Sequence, residues 1–141
     1  MPTKSKSAID SELVKAYAET VFHVFKPSIE IRIGTRQPLL DKLLAKQSCS
    51  QWAFITPYNP ASVLLSEDEN KERMVQLLAD LKGYTCHQGE GRGTDPAWLP
   101  EQSVLILGIS QAKANKLGRA YGQLAIVTGS INKSARLVLL Q

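Results

Sequence analysis

The sequence predicts one α/β domain of mixed α+β type, in which a mixed β-sheet of about six strands is covered by about four helices. Segments with apolar residues at helical spacing alternate with short apolar runs typical of buried strands. The chain has 141 residues, of which 43% are hydrophobic, and this is sufficient for a single core. We expect residues 1–7 to be a flexible basic tail and residues 8–141 to form the globular domain.

The first third of the chain contains two helical patterns and an edge-strand pattern. Apolar residues at helical spacing between positions 9 and 25 predict an amphipathic helix that ends before Pro27. The segment IEIRI at 29–33 alternates apolar and charged residues, which favours a half-exposed edge strand. Pro38 and the leucines after it predict a short helix with proline in its first turn.

The middle of the chain contains a central strand and a well-capped helix. QWAFIT at 51–56 is apolar on both faces, as in strands covered on both sides. Ser66 and Glu69 have capping-box spacing and begin a helix, which Gly83 ends. Another strand is expected at 84–88.

The last third of the chain contributes three more strands and one helix. A long loop is expected over 88–102, followed by a buried strand, SVLILGI, at 103–109. Strands joined through a helix should be parallel, because they are connected by right-handed crossovers. The loop over 88–102 and the short turn near Asn132 should connect antiparallel neighbours. A helical stripe precedes the remaining strands, which are expected at 123–129 and 135–140.

Composition limits the classes of protein to which the chain can belong. The charged share of 21% is ordinary for a globular domain, and the net charge is +4. No apolar stretch approaches the roughly 18 residues of a membrane-spanning helix, and the basic N-terminus precedes no signal-peptide core. Cys49 and Cys86 are therefore predicted to be reduced thiols in a cytoplasmic protein.

Several motifs occur in order along most of the chain. They are YAET with Tyr17 and Thr20, ITPYNP at 55–60, Asn70 and Arg73 in the next helix, GEGRG at 89–93, PEQS with Glu101 and Ser103, and YGQLAIVTG at 121–129. Together they resemble a bacterial family catalogued only as a domain of unknown function, over about residues 13–140. Pro57 departs from the family pattern, which has a small residue there. The resemblance implies a shared fold and no known activity.

Polar residues that are distant in sequence are predicted to meet at one end of the sheet. Asn70 lies within the apolar stripe of its helix and therefore needs hydrogen-bond partners. Ligands of open α/β sheets bind beyond the carboxyl ends of strands, and the predicted strand directions bring seven residues to such an end. They are Tyr58, Asn59, Asn70, Arg73, Glu101, Ser103 and Gln123.

This convergence predicts a site for a small anionic or nucleotide-like ligand. Glu101 is the candidate catalytic acid or base, and Arg73 would bind an anionic group, in a hydrolase or a transferase. A non-catalytic binding module would use the same pocket. The residues could instead form a structural cluster, in which Asn70 caps the backbone of the PYNP turn and Arg73 pairs with Glu101.

The glycine-rich segment GEGRG has two interpretations. Its three glycines could form a backbone nest for an anion, with Arg92 as a further ligand-binding residue, or it could be a plain mobile loop. Thr94 stands where the dinucleotide fingerprint requires glycine. His23 and His87 have no zinc-site spacing, so neither a metal nor a cofactor is predicted.

A third functional class would use the basic surface. Lys113, Lys116 and Arg119 lie on one helix face, which would suit a nucleic-acid or protein adaptor, although a solvated helix surface is the simpler explanation. No nucleic-acid motif accompanies this charge, and no membrane partner is expected. Trp98, between two prolines, either anchors its loop or offers a stacking platform. The sequence leaves the oligomeric state open.

Overall fold

The computed structural model describes the backbone of residues 6–97 and 99–140 and the side chains of residues 11–97 and 99–140. Within these residues it has an α+β fold, as predicted, with four helices and seven strands rather than about six. The helices are α1 (Lys6–Ala18), α2 (Pro38–Lys46), α3 (Glu67–Asp80) and α4 (Gln111–Ala120). The strands are β1 (Val21–Val24), β2 (Ile29–Ile31), β3 (Gln51–Ile55), β4 (Thr85–Arg92), β5 (Glu101–Leu107), β6 (Ala125–Ser130) and β7 (Arg136–Leu139).

The strands of the described chain form one sheet in the order β2-β1-β4-β5-β3-β6-β7. Neighbouring strands are antiparallel throughout this sheet, whereas the sequence predicts a mixed one. A parallel bridge between Ile33 and Ala135 connects the two edges, so the sheet is curled. Seven alternating strands leave both edge strands pointing the same way, and this is why the closing bridge is parallel.

The predicted strand directions agree with the structure, but the predicted neighbours do not. β3 and β4, which α3 connects, run in the same direction with β5 between them. β5 and β6, which α4 connects, also run in the same direction, with β3 between them. These two helical crossovers therefore each pass over one strand. The loop before β5 and the turn before β7 connect antiparallel neighbours, as predicted.

The predicted helix at 9–25 is too long at its C-terminal end. α1 ends at Ala18, and the segment VFHV forms β1, with Phe22 and Val24 buried. Valine and phenylalanine favour strands, and pairing with β4 gives this segment a hydrogen-bond ladder. The helical spacing of Val21 and Val24 with the preceding apolar residues is therefore coincidental. The first described helix begins at Lys6, and the rest of the predicted tail lies outside the described residues.

The segment GEGRG is not a loop, because most of it belongs to β4. Gly89 pairs with Val24 on one side and with Ser103 on the other. A Cβ added to Gly89 would overlap the carbonyl oxygen of His23, so this position needs glycine for the close approach of β1. Both predicted interpretations of the segment, a nest for anions and a mobile loop, are therefore wrong. The strand ladder uses the backbone groups that a nest would need.

Two hydrophobic clusters cover the two faces of the sheet. The inner cluster includes Ile31 of β2, Phe54 of β3 and Ala135 at the closing bridge, and α2 packs against it. The outer cluster includes Leu77 of α3 and Ala114 of α4. Full burial of a large apolar side chain contributes about 1.5–3 kcal/mol, so these clusters hold the helices on the curled sheet.

The cysteines and the lengths of the helices bear on the expectations drawn from composition. Cys49 and Cys86 are free thiols, each half-buried, and burial raises the pKa of Cys86. Among the described residues, no helix has both the length and the apolar content needed to cross a membrane.

Substituting Gly89 tests the close approach of β1 and β4. We expect Gly89→Ala to destabilise the fold by about 2 kcal/mol or more, because a backbone oxygen cannot move away as a flexible side chain can. The matched control is Gly93→Ala, since a Cβ there has no atom within 4 Å. Chemical denaturation of the three proteins measures the difference. Equal stabilities for the two variants would contradict this packing.

Candidate functional site

A cavity of about 420 Å³ opens at one end of the sheet. β3 and β4 end there, and β5 and β6 begin there, so residues from four strand ends reach the same place. The helix α1 forms one wall of the cavity through Leu13, Ala16 and Tyr17. The volume is within the range of pockets that bind small molecules.

An aromatic wall, formed by Tyr17, Phe22 and Phe54, lines this cavity. The ring centroids of Tyr17 and Phe22 are 5.9 Å apart, and those of Phe22 and Phe54 are 5.5 Å apart with an edge-to-face arrangement. Such pairs contribute about 0.5–1.5 kcal/mol beyond area burial. The Tyr17 hydroxyl donates a hydrogen bond to the carbonyl oxygen of Ala125 at 3.3 Å. This bond orients the Tyr17 ring against the sheet.

The loop after β3 is held by two asparagine side chains. Asn59, Ala61 and Ser62 have positive φ angles of 49°, 53° and 62°, a region that costs most non-glycine residues energy. Asn59 Oδ1 accepts hydrogen bonds from the backbone N of Leu65 at 3.0 Å and from Nδ2 of Asn70 at 2.9 Å. The backbone N of Asn59 donates to Asn70 Oδ1 at 3.0 Å. Side-chain amides therefore satisfy this strained backbone, and Asn70 bonds the PYNP turn as the structural-cluster interpretation expects.

Glu101 brings a carboxylate to the cavity. Its Oε2 atom accepts a hydrogen bond from Asn59 Nδ2 at 2.8 Å. Burial raises the pKa of Glu101 above its ordinary value, and the hydrogen bond from Asn59 partly opposes this change. Burial and the negative charge of Glu101 also raise the pKa of Tyr17. The carboxylate and the phenol are thus electrostatically coupled across the cavity.

Arg73 and Gln123 fasten the same loop through its backbone. Arg73 Nε donates to the carbonyl oxygen of Pro57 at 2.6 Å, and Arg73 Nη2 donates to the carbonyl oxygen of Tyr121. Gln123 Nε2 donates to the carbonyl oxygen of Tyr58 at 3.0 Å. The loop is therefore clamped by α3 on one side and by the segment before β6 on the other.

The ion pair expected between Arg73 and Glu101 does not form within the described part of the chain. Arg73 lines a separate open groove, where its guanidinium carbon is 5.5 Å from the ring centroid of Tyr121. The physical reason is the pair of carbonyl groups that Arg73 satisfies, because backbone acceptors at a partly buried turn require donors. Glu101 meets the neutral amide of Asn59 instead of a cation.

The predicted site residues fall into three groups. Those lining the cavity are Asn59, Glu101, Ser103 and Gln123. Those that support the loop through hydrogen bonds are Tyr58, Asn70 and Arg73. Arg92 belongs to neither group, because its side chain is exposed and lies 3.4 Å from the carboxylate of Glu90. These residues thus converge at one end of the sheet, whereas Arg73 and Arg92, the predicted anion-binding residues, are not in the cavity lining.

The sequence-based list omits Tyr17, Thr20 and Thr56, which also line the cavity. The motif YAET contains two of them, but the overlong predicted helix gives them no reason to face the sheet end. Thr56 Oγ1 donates to the carbonyl oxygen of Gln102 at 2.7 Å, which ties the end of β3 to β5. The sequence does carry a signal for Thr56, because this polar residue directly follows a buried strand.

Other predicted features lie away from the cavity. Lys113, Lys116 and Arg119 are exposed on α4, as expected of a solvated helix face. Trp98 lies outside the described residues. Among the side chains of residues 11–97 and 99–140, no three histidines, cysteines, aspartates or glutamates form a group that could hold a metal ion.

A double-mutant cycle tests the asparagine pair. Asn59→Ala and Asn70→Ala each leave polar groups of the other residue unsatisfied, and we expect a cost of roughly 1–3 kcal/mol for each. The double variant should lose less than the sum, with a coupling of about 0.5–3 kcal/mol. Denaturant titration of the four proteins gives these values. For comparison, Arg73→Met and Glu101→Gln should couple by less than about 0.5 kcal/mol, because these residues share no contact. Strict additivity of the asparagine changes would contradict the hydrogen bonding between Asn59 and Asn70.

The raised pKa of Glu101 has a consequence for stability. A carboxyl group whose pKa is higher in the folded state than in the unfolded state destabilises the folded state at pH values above the folded pKa. This cost decreases as the pH falls below the folded pKa, and it is lost once the pH is below the unfolded pKa. Gln can still accept the hydrogen bond from Asn59 but carries no charge. We therefore expect Glu101→Gln to raise Tm at neutral pH and to lose this advantage near pH 4. The exposed Glu30 provides the control, since Glu30→Gln should show no such trend.

Comparison with known proteins identifies one family. The family model described as "Protein of unknown function (DUF3293)" matches residues 55–126, about half of the chain. This segment begins at the end of β3 and reaches the start of β6, so it contains the polar cavity residues Asn59, Glu101, Ser103 and Gln123. No curated protein and no solved structure matches the chain. The chain belongs to the DUF3293 family.

Proposed function

We propose that this protein binds a small organic molecule in the cavity at the end of the sheet. The observation that carries the proposal is a largely apolar cavity whose lining includes the half-buried carboxylate of Glu101. The aromatic wall would contact the body of the ligand. Glu101, Asn59 and Gln123 would fix its polar end, because a few directed polar groups in an apolar pocket provide orientation and specificity.

The charge of the lining bears on the class of ligand. The described lining residues include the carboxylates of Glu19, Asp95 and Glu101 and contain no lysine or arginine. The anionic ligand expected from Arg73 and Arg92 would meet negative charge here, which disfavours it. The proposal therefore takes an uncharged or positively charged ligand in place of an anionic or nucleotide-like one.

Acid–base catalysis is the second candidate function, and Glu101 favours it. A half-buried carboxyl group whose pKa is raised by burial is the kind of group that general acid–base catalysis uses. In a hydrolase or transferase of this kind, Glu101 would act on the ligand while Asn59 holds the carboxyl group in place. A non-catalytic binding module would use the same contacts. We expect either protein to act in the cytoplasm.

The adaptor function rests on a different surface. The basic residues Lys113, Lys116 and Arg119 lie on α4, which packs through Ala114 on the outer face of the sheet. Binding of nucleic acid there would weaken steeply with salt, because neutralised phosphates release counterions. Such binding would be independent of the cavity.

A melting screen with a variant that fills the cavity tests the proposed function. We expect uncharged or cationic small molecules to raise Tm of the native chain, because a ligand that binds only the folded state stabilises it. Ala16→Trp should abolish these shifts by occupying the cavity. Ala18→Trp is the matched control, because Ala18 is also exposed on α1 but does not line the cavity. Shifts that survive in the Ala16→Trp protein would place the ligand elsewhere.

A ligand found in this way distinguishes the two candidates. If the protein is an enzyme, Glu101→Gln should abolish turnover while the protein stays folded and still binds the ligand. If it is a binding module, no turnover should be detectable in the native chain, and Glu101→Gln should lower affinity. Isothermal titration and product analysis measure the two quantities separately.

A further inference from the structure

We propose that the cavity recognises a protonated amine, whose ammonium group lies between the Glu101 carboxylate and the aromatic wall of Tyr17, Phe22 and Phe54. This inference rests on the proposed function, since it names the class of ligand for the same cavity. It follows from the hydrogen bonding of Glu101, from the aromatic composition of the wall and from the charges at the opening.

The first step concerns the partner of Glu101. In the described part of the chain, the Glu101 carboxylate accepts a side-chain hydrogen bond from the amide of Asn59 and forms no ion pair with a lysine, arginine or histidine side chain. A partly buried carboxylate balanced by one neutral donor is under-compensated, because burial penalises the charged form. The raised pKa of Glu101 is consistent with this imbalance. A ligand ammonium would supply the missing positive charge.

The second step concerns the aromatic wall. Phe22 contacts both Tyr17 and Phe54, and all three rings line the same cavity as Glu101. Cations bind the faces of aromatic rings within about 6 Å of the centroid. Tyr17 and Glu101 line the same cavity, and the negative charge of Glu101 adds to the effect of burial in raising the pKa of Tyr17. A carboxylate beside aromatic rings suits an ammonium group better than it suits a neutral hydroxyl group.

The third step concerns the opening of the cavity. Glu19 and Asp95 line the cavity and are exposed, so they lie where it meets solvent. The chain as a whole carries a net charge of +4, and these carboxylates give the opening a local charge of the opposite sign. A field of this sign raises the local concentration of cations and repels anions. The carboxylates at the opening and the Glu101 carboxylate inside the cavity thus both favour a positively charged ligand.

The apolar residues in the rest of the lining indicate the chemical character of the ligand's body. Apart from the aromatic wall, the lining includes Leu13, Leu124 and Val127, which offer no hydrogen bonds from their side chains. The ligand is therefore an amine with an apolar body.

The test compares head groups on a constant body at about pH 7. The probes are 2-phenylethylamine, 2-phenylethanol and 3-phenylpropanoate, together with their cyclohexyl counterparts, and titration monitored by NMR measures each Kd. We expect the amines to bind at least about tenfold more tightly than the carboxylates and more tightly than the alcohols. In Glu101→Gln the ratio of amine to alcohol affinity should fall to near one, whereas Glu30→Gln should keep the ratio of the native chain. Tyr17→Leu should weaken the amines more than the alcohols.

The outcomes separate this inference from the proposed function. If alcohols or carboxylates bind as tightly as amines, and Ala16→Trp abolishes that binding, the amine inference is overturned while the cavity remains a ligand site. If the preference for amines persists in Glu101→Gln, the carboxylate is not the determinant and the inference is again overturned. If no probe binds, the inference fails, and the broader melting screen decides the proposed function.

Discussion

The hydrogen bonds of the Asn59 side chain are the constraint on which the candidate site depends. Its Oδ1 atom joins the backbone of Leu65 to Asn70 of α3, and its Nδ2 atom holds the Glu101 carboxylate. One amide thus connects a loop, a helix and a strand. Asparagine suits the position, because it tolerates positive φ better than most residues and offers both an acceptor and donors. Alanine at this position would keep neither property.

The curl of the sheet determines which residues can share the cavity. The connections through α3 and α4 each pass over one strand, so the two strands that each helix joins run in the same direction and have an antiparallel neighbour between them. Residues at the carboxyl ends of β3 and β4 therefore lie beside residues at the starts of β5 and β6. The close approach at Gly89 brings β1, and with it Phe22, to the same end. The aromatic wall and the polar residues meet for this geometric reason.

The cavity contains a carboxylate, that of Glu101, whose burial destabilises the folded state. Most polar groups at the sheet end are satisfied within the protein, as Arg73 is by the carbonyl groups of Pro57 and Tyr121. Glu101 differs, because its burial raises its pKa and its partner is neutral. Functional sites commonly keep such destabilising groups, since stability and activity are in conflict there. This contrast is expected of the proposed ligand site and is not expected of a cluster whose members only satisfy one another.

The sequence by itself determined the fold class, the helices with strong end signals and the end of the sheet at which polar residues meet. The capping box of Ser66 and Glu69 and the doubly apolar strand β3 are local patterns, and they occur where predicted. Only the tertiary structure decided that VFHV is a strand, that GEGRG lies in β4 and that Arg73 bonds backbone carbonyl groups instead of Glu101. These outcomes depend on partners distant in sequence: a strand ladder, a close backbone approach and an unsatisfied acceptor. Local spacing carries no information about such partners, because only the folded chain brings these distant segments together.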